Sequence, residues 1–177
     1  MRILNGDILS ERRGIIVHQV NCQRVMGAGL ALQIRKKWPR HYEDYMSRFP
    51  HLGGLVITQV NSEQYIIGVY GQDRYGKSSC YTDYSALEKG LKSVQKFADE
   101  KCLPVYIPYG IGCGLAGGDW SKVQQILEAT LPHAIVIRKA KDVSDAVEFW
   151  HKNKTETSLR EYLQMNAEEY QRFITEM

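Results

Sequence analysis

A chain of 177 residues has room for one α/β domain and little more. Hydrophobic residues at 44% and charged residues at 24% exclude a disordered chain, and a formal charge of +3 falls short of the clustered Lys and Arg of a nucleic-acid surface. That mild positive surplus suits an anionic ligand.

In chain order, the start Met1 to Asp7 is polar and does not read as a signal peptide. Gly14 to Val20 reads as a buried strand. Leu30, Ile34 and Trp38 then fall four apart on a helix that Pro39 ends, and a second short helix spans His41 to Arg48. Arg35-Lys36-Lys37 reads as a solvated helix end. Leu55 to Val60 and Gln64 to Tyr70 form a hairpin about Asn61 and Ser62. Tyr84, Leu87, Leu91, Val94 and Phe97 make a helical stripe, with Thr82 or Asp83 as its cap. Val105 to Ile107 is a strand, Asp119 caps a helix that turns Trp120, Val123 and Leu127 inwards, and Ala134 to Arg138 closes the sheet as the last strand. Beyond Lys141 the chain becomes charged and helical. Ser158 to Glu161 is a capping box, and Leu159, Leu163, Ala167, Tyr170 and Ile174 read as one apolar stripe. Strands alternating with helices predict an α/β fold.

Cys22, Cys80, Cys102 and Cys113 show no CxxC or ligand spacing, so neither a zinc site nor a disulfide framework is expected. No apolar stretch approaches membrane-spanning length. The expectation is a reduced, cytoplasmic protein with no membrane, metal or cofactor requirement.

Three glycine motifs compete for the chemistry. Gly27-Ala28-Gly29 precedes the Leu30 helix, and Gly112-Cys113-Gly114-Leu115-Ala116-Gly117 is a GxGxxG string before the Asp119 helix. Glycines in such turns let backbone N–H groups approach an anion beside a helix N-terminus, although any one of them can equally be a tight turn. Two such loops at the carboxyl ends of strands could clamp a diphosphate from two sides. The third motif, Gly71 to Ser78 with Lys77, matches the P-loop pattern letter for letter and keeps an NTPase among the alternatives. Its interior is bulky, its helix begins only near Asp83, and no later strand ends in a Walker B acid. A dinucleotide-binding Rossmann site fits poorly, because the GxGxxG string comes late and the last strand ends in Arg138-Lys139.

Four segments in register resemble the macrodomain family. They are Asn5-Gly6-Asp7-Ile8, Val17-His18-Gln19-Val20-Asn21-Cys22, Gly27-Ala28-Gly29-Leu30-Ala31, and Ile107-Pro108 through Gly112-Cys113-Gly114-Leu115 with Trp120. The sequence is similar to the branch that contains terminal ADP-ribose protein glycohydrolase, DNA ADP-ribosyl glycohydrolase antitoxins and fungal ADP-ribose 1″-phosphate phosphatase. The resemblance implies a three-layer α/β/α macrodomain with a mixed central sheet over residues 1–140. Residues 141–177 are then a C-terminal helical extension packed on the domain or on a partner.

It also implies a ligand, ADP-ribose or ADP-ribose 1″-phosphate. Asp7 would accept the adenine amino group with Ile8 beside it, and Asn21 would reach the distal ribose. Gly27, Ala28, Gly29 and Leu30 would wrap that ribose and the diphosphate, and Ile111, Gly112, Cys113, Gly114, Leu115 and Ala116 would form the second phosphate loop. Arg138 would stack on adenine where relatives often place an aromatic. The lysine and aspartate of the protein glycohydrolase have Gln72 and Ala116 as their nearest counterparts, with Lys77 in the same loop. His18 matches a catalytic histidine of the fungal phosphatase branch, and as a strand residue it can equally be a hydrogen-bonded core histidine. Asp119 reads as a helix cap, Cys22 and Cys113 as packing residues, and Tyr70, Tyr75, Tyr81 and Tyr84 as core or rim. His18 and Asn21 are thus the catalytic candidates, for hydrolysis of ADP-ribose 1″-phosphate. The alternatives are removal of ADP-ribose from ADP-ribosylated protein or nucleic acid, and a reader that binds ADP-ribose without turnover.

Overall fold

The computed structural model describes residues 1–76, 78–153 and 157–176. Six strands form one sheet: β1 (Arg2–Asn5), β2 (Gly14–Asn21), β3 (Leu55–Asn61), β4 (Gln64–Gln72), β5 (Val105–Pro108) and β6 (Ile135–Arg138). Their order is β1-β6-β5-β2-β4-β3, all parallel except β3, which pairs antiparallel with β4. The helices are α1 (Gly29–Lys37), α2 (Pro39–Ser47), α3 (Tyr84–Lys101), α4 (Trp120–Thr130), α5 (Val143–Asn153), α6 (Leu159–Tyr162) and α7 (Ala167–Glu176). The α/β reading and the mixed sheet hold. Among the described residues no helix is long and apolar enough to cross a membrane.

The central strands β2 and β4 are apolar on both faces because helices cover both. On one face Ile15, Val17, Ile67 and Ile107 meet Leu87, Leu91 and Val94 of α3 and Val123 and Leu127 of α4. On the other, Ile16, Val20, Ile66 and Tyr70 meet Ile34 of α1 and Tyr45 of α2. The Asp83 carboxylate caps α3 by accepting the Ala86 N–H at 2.9 Å, and Asn61 shapes the hairpin by accepting the Glu63 N–H at 2.8 Å.

Two expectations change. The last strand in sequence, β6, is not the edge of the sheet: β1 pairs with it and takes that place. β1 escapes a reading by pattern because it has four residues, and its Ile3 and Leu4 pack into opposite cores. The apolar stripe of the extension is also divided between two helices. Gln164 turns the chain at φ 56, and Asn166 starts α7 by exchanging hydrogen bonds of 2.9 Å with Glu169, a second capping box. No residue of α7 is buried, and Ile174 is exposed.

The extension reaches the sheet through aromatic rings. Tyr162 of α6 is fully buried and stacks on Phe149 of α5 at 6.1 Å, and Phe149 meets Tyr109, just after β5, edge-on at 5.2 Å. Removing an aromatic ring from such a site costs about 3–5 kcal/mol. Tyr162→Ala is therefore expected to lose roughly that much stability in urea denaturation, as a core substitution would; a loss under about 0.5 kcal/mol would mean that the extension is only loosely attached.

Candidate functional site

β2 and β5 are paired at only two positions, Ile15↔Val105 and Ile16↔Tyr106. Pro108 has no N–H with which to extend the ladder. The chain then leaves β2 for α1 on one face and leaves β5 towards α4 on the other, so the strands part at a topological switch point. A cavity of ≈ 600 Å³ lies there, lined by the ends of β2, β4 and β5, the first turn of α1 and both glycine loops.

Both glycine turns therefore face one space: Gly27, Ala28, Gly29 and Leu30 on one side, and Ile111, Gly112, Gly114, Leu115 and Ala116 on the other. The cap residue of α1 is Ala28, whose side chain cannot accept a hydrogen bond, so the first-turn N–H groups are not taken up by a cap. The start of α4 differs. Asp119 accepts from the Ser121 N–H and hydroxyl at 2.9 and 2.7 Å, and these bonds hold its carboxyl below the usual range. Asp119 is a cap, as its position in the sequence predicts. Gly112 sits at φ +73, and a Cβ there would come within 2.7 Å of Gln19 Oε1 and 3.0 Å of Thr82 Oγ1. Gln19 Nε2 donates to Gln72 Oε1 at 2.7 Å and to Thr82 at 3.1 Å, and Thr82 donates to the Gly112 carbonyl at 2.6 Å, so β2, β4 and the second loop are tied together.

Asn21 lines the cavity and builds its rim. Its Oδ1 accepts from the Gln23 and Val25 N–H groups at 3.0 and 3.1 Å, its Nδ2 donates to the Val25 carbonyl at 2.7 Å, and Tyr45 donates to its own carbonyl at 2.5 Å. One amide N–H of Asn21 remains for a ligand.

His18 lines the cavity and is 2% exposed. Its Nε2 lies 2.9 Å from Nε2 of His41, whose Nδ1 lies 2.8 Å from Thr58 Oγ1, and Thr58 donates to Asp44 Oδ2 at 2.6 Å. Burial, and then the neighbouring His41, hold His18 well below the usual histidine range; burial takes His41 down to about 4 against the pull of Asp44. Both rings are neutral near pH 7. His18 Nδ1 is buried and has no hydrogen-bond partner among the described residues.

The other predicted residues lie apart from the lining. Asp7 stands at the end of β1, on the same carboxyl edge; one oxygen accepts the Leu9 N–H at 3.0 Å and the other faces Lys139 Nζ at 3.3 Å. Ile8 is buried beside it. Cys113 packs against the core, and burial raises its thiol to about 11, so it is no nucleophile at neutral pH. Cys22 is likewise raised by burial. Arg138 is drawn into the extension, paired with Asp145 at 3.1 Å and lying 4.0 Å over the Phe149 ring. The face expected to stack on adenine is thus placed on Phe149. Gln72 and Ala116 both line the cavity, and neither side chain carries an amine or a carboxylate. Lys77 lies outside the described residues, and α3 starts only at Tyr84. Among the described residues no cluster of His, Cys, Asp and Glu is suited to a metal.

Sequence reasoning missed His41, Thr58, Asp44, Gln19 and Thr82. A faint signal existed in β3, where the buried alternation Val56, Thr58 puts a hydroxyl on the inward face.

The Macro domain family profile matches residues 17–127, and the chain belongs to that family. An uncharacterized 17.5 kDa protein of Enterobacteria phage T4 is 27% identical over 141 residues, covering 72% of this chain and 88% of the phage protein. A DNA ADP-ribosyl glycohydrolase of Mycobacterium bovis is 25% identical over 130 residues; that match covers 70% of this chain but only 36% of the mycobacterial protein. Among solved structures, a protein of unknown function from Bacteroides thetaiotaomicron is 30% identical with a TM-score of 0.69, covering 78% of this chain and 98% of that one. DarTG of Thermosipho africanus in complex with ADP-ribose shares the fold at a TM-score of 0.61 and 18% identity, covering 79% of this chain and 42% of that one.

Two outcomes follow from this geometry. Gly112→Ala is expected to lose at least the ~1–2 kcal/mol of a left-handed L-residue, because its methyl also meets Gln19. Gly114→Ala, whose methyl meets nothing within 4 Å, is expected to stay within about 0.5 kcal/mol of wild type; chemical denaturation separates them. The neutral histidines also make stability pH-dependent. Their folded pKa values lie below the unfolded value of 6.5, so the unfolded chain binds more protons as acid is added. Stability is whole above pH 6.5 and falls as pH drops from 6.5 towards 4. His41 alone accounts for about 2 kcal/mol at pH 5, readable from urea midpoints at pH 7.5 and pH 5.

Proposed function

We propose that the cavity binds ADP-ribose and that the chain hydrolyses ADP-ribose 1″-phosphate to ADP-ribose and phosphate without a metal. The observation that carries this reading is the meeting of two glycine turns around one cavity whose wall holds a neutral histidine with an unpartnered nitrogen. The uncapped first turn of α1 and the backbone of residues 112–116 are suited to a pyrophosphate from opposite sides. The strand order puts Asp7 two strands further along the same edge, within the span of an extended dinucleotide-like ligand whose adenine points towards β1. Arg138 has no part in base stacking in this reading, because α5 holds it. The ADP-ribose carried by the Thermosipho structure supports the ligand class. His18 accepts the proton of the attacking water, a role for which a neutral imidazole is suited.

A second reading is removal of ADP-ribose from modified DNA, favoured by the sequence likeness to the mycobacterial glycohydrolase. Against it stand Gln72 and Ala116, which offer neither an amine nor a carboxylate at the cavity wall. Calorimetry with ADP-ribose tests the ligand, and phosphate release from ADP-ribose 1″-phosphate tests the reaction. His18→Ala is expected to keep ADP-ribose affinity within about threefold while kcat falls by roughly 100-fold or more, the usual scale for a lost general base. Release of ADP-ribose from a modified oligonucleotide with no phosphate release would favour the second reading, and binding without any product would make the chain a reader.

A further inference from the structure

The row of polar side chains behind the cavity wall runs through a layer that is otherwise apolar. His41 is fully buried and Thr58 is 3% exposed, yet His18, His41, Thr58 and Asp44 join β2, α2 and β3 in an unbroken chain of hydrogen bonds. The direction of that chain is set from its outer end. Burial pushes the Asp44 carboxyl up, but hydrogen bonds from Thr58 and Arg40 and the Arg40 charge together hold it below its usual range, so it is an ionised acceptor. Thr58 has one proton, and Asp44 takes it at 2.6 Å. The Thr58 oxygen must then accept, so His41 carries its proton on Nδ1 and offers a lone pair at Nε2. His18 therefore donates through Nε2, and its Nδ1 is left bare. Nδ1 sits on the ring that lines the cavity but is itself covered in the unliganded wall, so a bound ligand must uncover it for it to act.

We infer that His41, oriented by Thr58 and Asp44, is a positioning residue that holds His18 in the Nε2–H tautomer and leaves its Nδ1 lone pair bare. This deepens, and rests on, the reading of that cavity as a hydrolytic ADP-ribose site. A lone pair repels phosphoryl oxygens and accepts a proton from water or a hydroxyl, so His18 works as a base and not as a phosphate ligand. In hydrolysis of the phosphomonoester, the water oxygen bonds to phosphorus as the bond from phosphorus to the 1″ oxygen breaks. The electron pair stays on the 1″ oxygen, which takes a proton from solvent. The proton of the attacking water goes to His18 Nδ1, and the His18 Nε2 proton moves along the 2.9 Å bond to His41 Nε2. The positive charge then rests on His41, one hydroxyl away from the Asp44 carboxylate.

Two-bond 15N–1H NMR on protein with 15N-labelled histidines reads the tautomer directly, beside kcat and KM for ADP-ribose 1″-phosphate. Wild type is expected to show His18 protonated at Nε2 and bare at Nδ1, with the Nδ1 resonance moving when ADP-ribose is added. Thr58→Val keeps the shape of the side chain but removes the acceptor. It is expected to mix the His18 tautomers and lower kcat by roughly 10- to 100-fold, with KM within about twofold, whereas Thr58→Ser keeps both as in wild type. Should Thr58→Val not fold, Asp44→Asn carries the same test, because its amide can donate to Thr58 and free the hydroxyl to donate to His41. Its expected result is the same tautomer mixing. A wild-type His18 protonated at Nδ1, or an unchanged tautomer in the folded variant, overturns the inference. If wild type releases no phosphate, the proposed reaction falls, while the tautomer and its response to ADP-ribose still decide the role of His41.

Discussion

Everything at the cavity depends on one constraint of chain geometry. Two neighbouring parallel strands, β2 and β5, must send their continuations to opposite faces of the sheet. Their ladder ends after two residue pairs, and backbone groups that a continued ladder would have paired are left beside open space. Each connection must then turn sharply while keeping its amides near that space. Residues 27–29 and 110–117 meet this demand with glycines, and Gly112 shows how little freedom remains, since Gln19 and Thr82 fill the volume a side chain would need. The site is less an addition to the fold than the place where the fold cannot close.

The chemistry beside that opening follows from burial. Two histidines placed in an apolar layer lose their charge, because no anion touches either ring directly. Neutral imidazoles are directional, each with one donor and one acceptor, so a single oriented hydroxyl at Thr58 settles the sense of every bond inward from it. A hydrogen-bonded row of this kind is satisfied in one sense and frustrated in the other, which makes it stiff. The cavity wall meanwhile offers Gln72 and Ala116, groups that neither take nor give a proton at neutral pH.

The strongly patterned elements were legible in the sequence: β2, the β3–β4 hairpin, α3 with its Asp83 cap, and α4 with its Asp119 cap all stand where periodicity and capping put them. So were the two glycine turns, because their meaning is local. β1 was not, since an exposed Arg2 followed by three half-buried residues carries no period. The turn at Gln164 was not, since its cause is a capping box in Asn166 and Glu169 that an apolar stripe running through them conceals. His41 and Thr58 stayed hidden for another reason. Their partners lie 23 and 14 residues away, and a single polar residue in an amphipathic pattern does not announce whom it will meet. Arg138 illustrates the converse: its place at the end of β6 was plain, but the pull of Asp145 and Phe149 exists only once α5 folds back.

The terminal helix α7 has a practical bearing on how unfolding is watched. It has ten residues, fewer than an isolated helix needs to hold in water, and it buries none of them. Its helicity answers mainly to its own capping box and not to the sheet. Far-ultraviolet ellipticity will count its turns, while fluorescence from Trp38, Trp120 and Trp150, none of which lies on α7, will report the rest of the packed chain. The two signals will trace different midpoints in one titration, and a single free energy fitted to ellipticity alone would mix the fraying of an appendage with the cooperative melting of the domain.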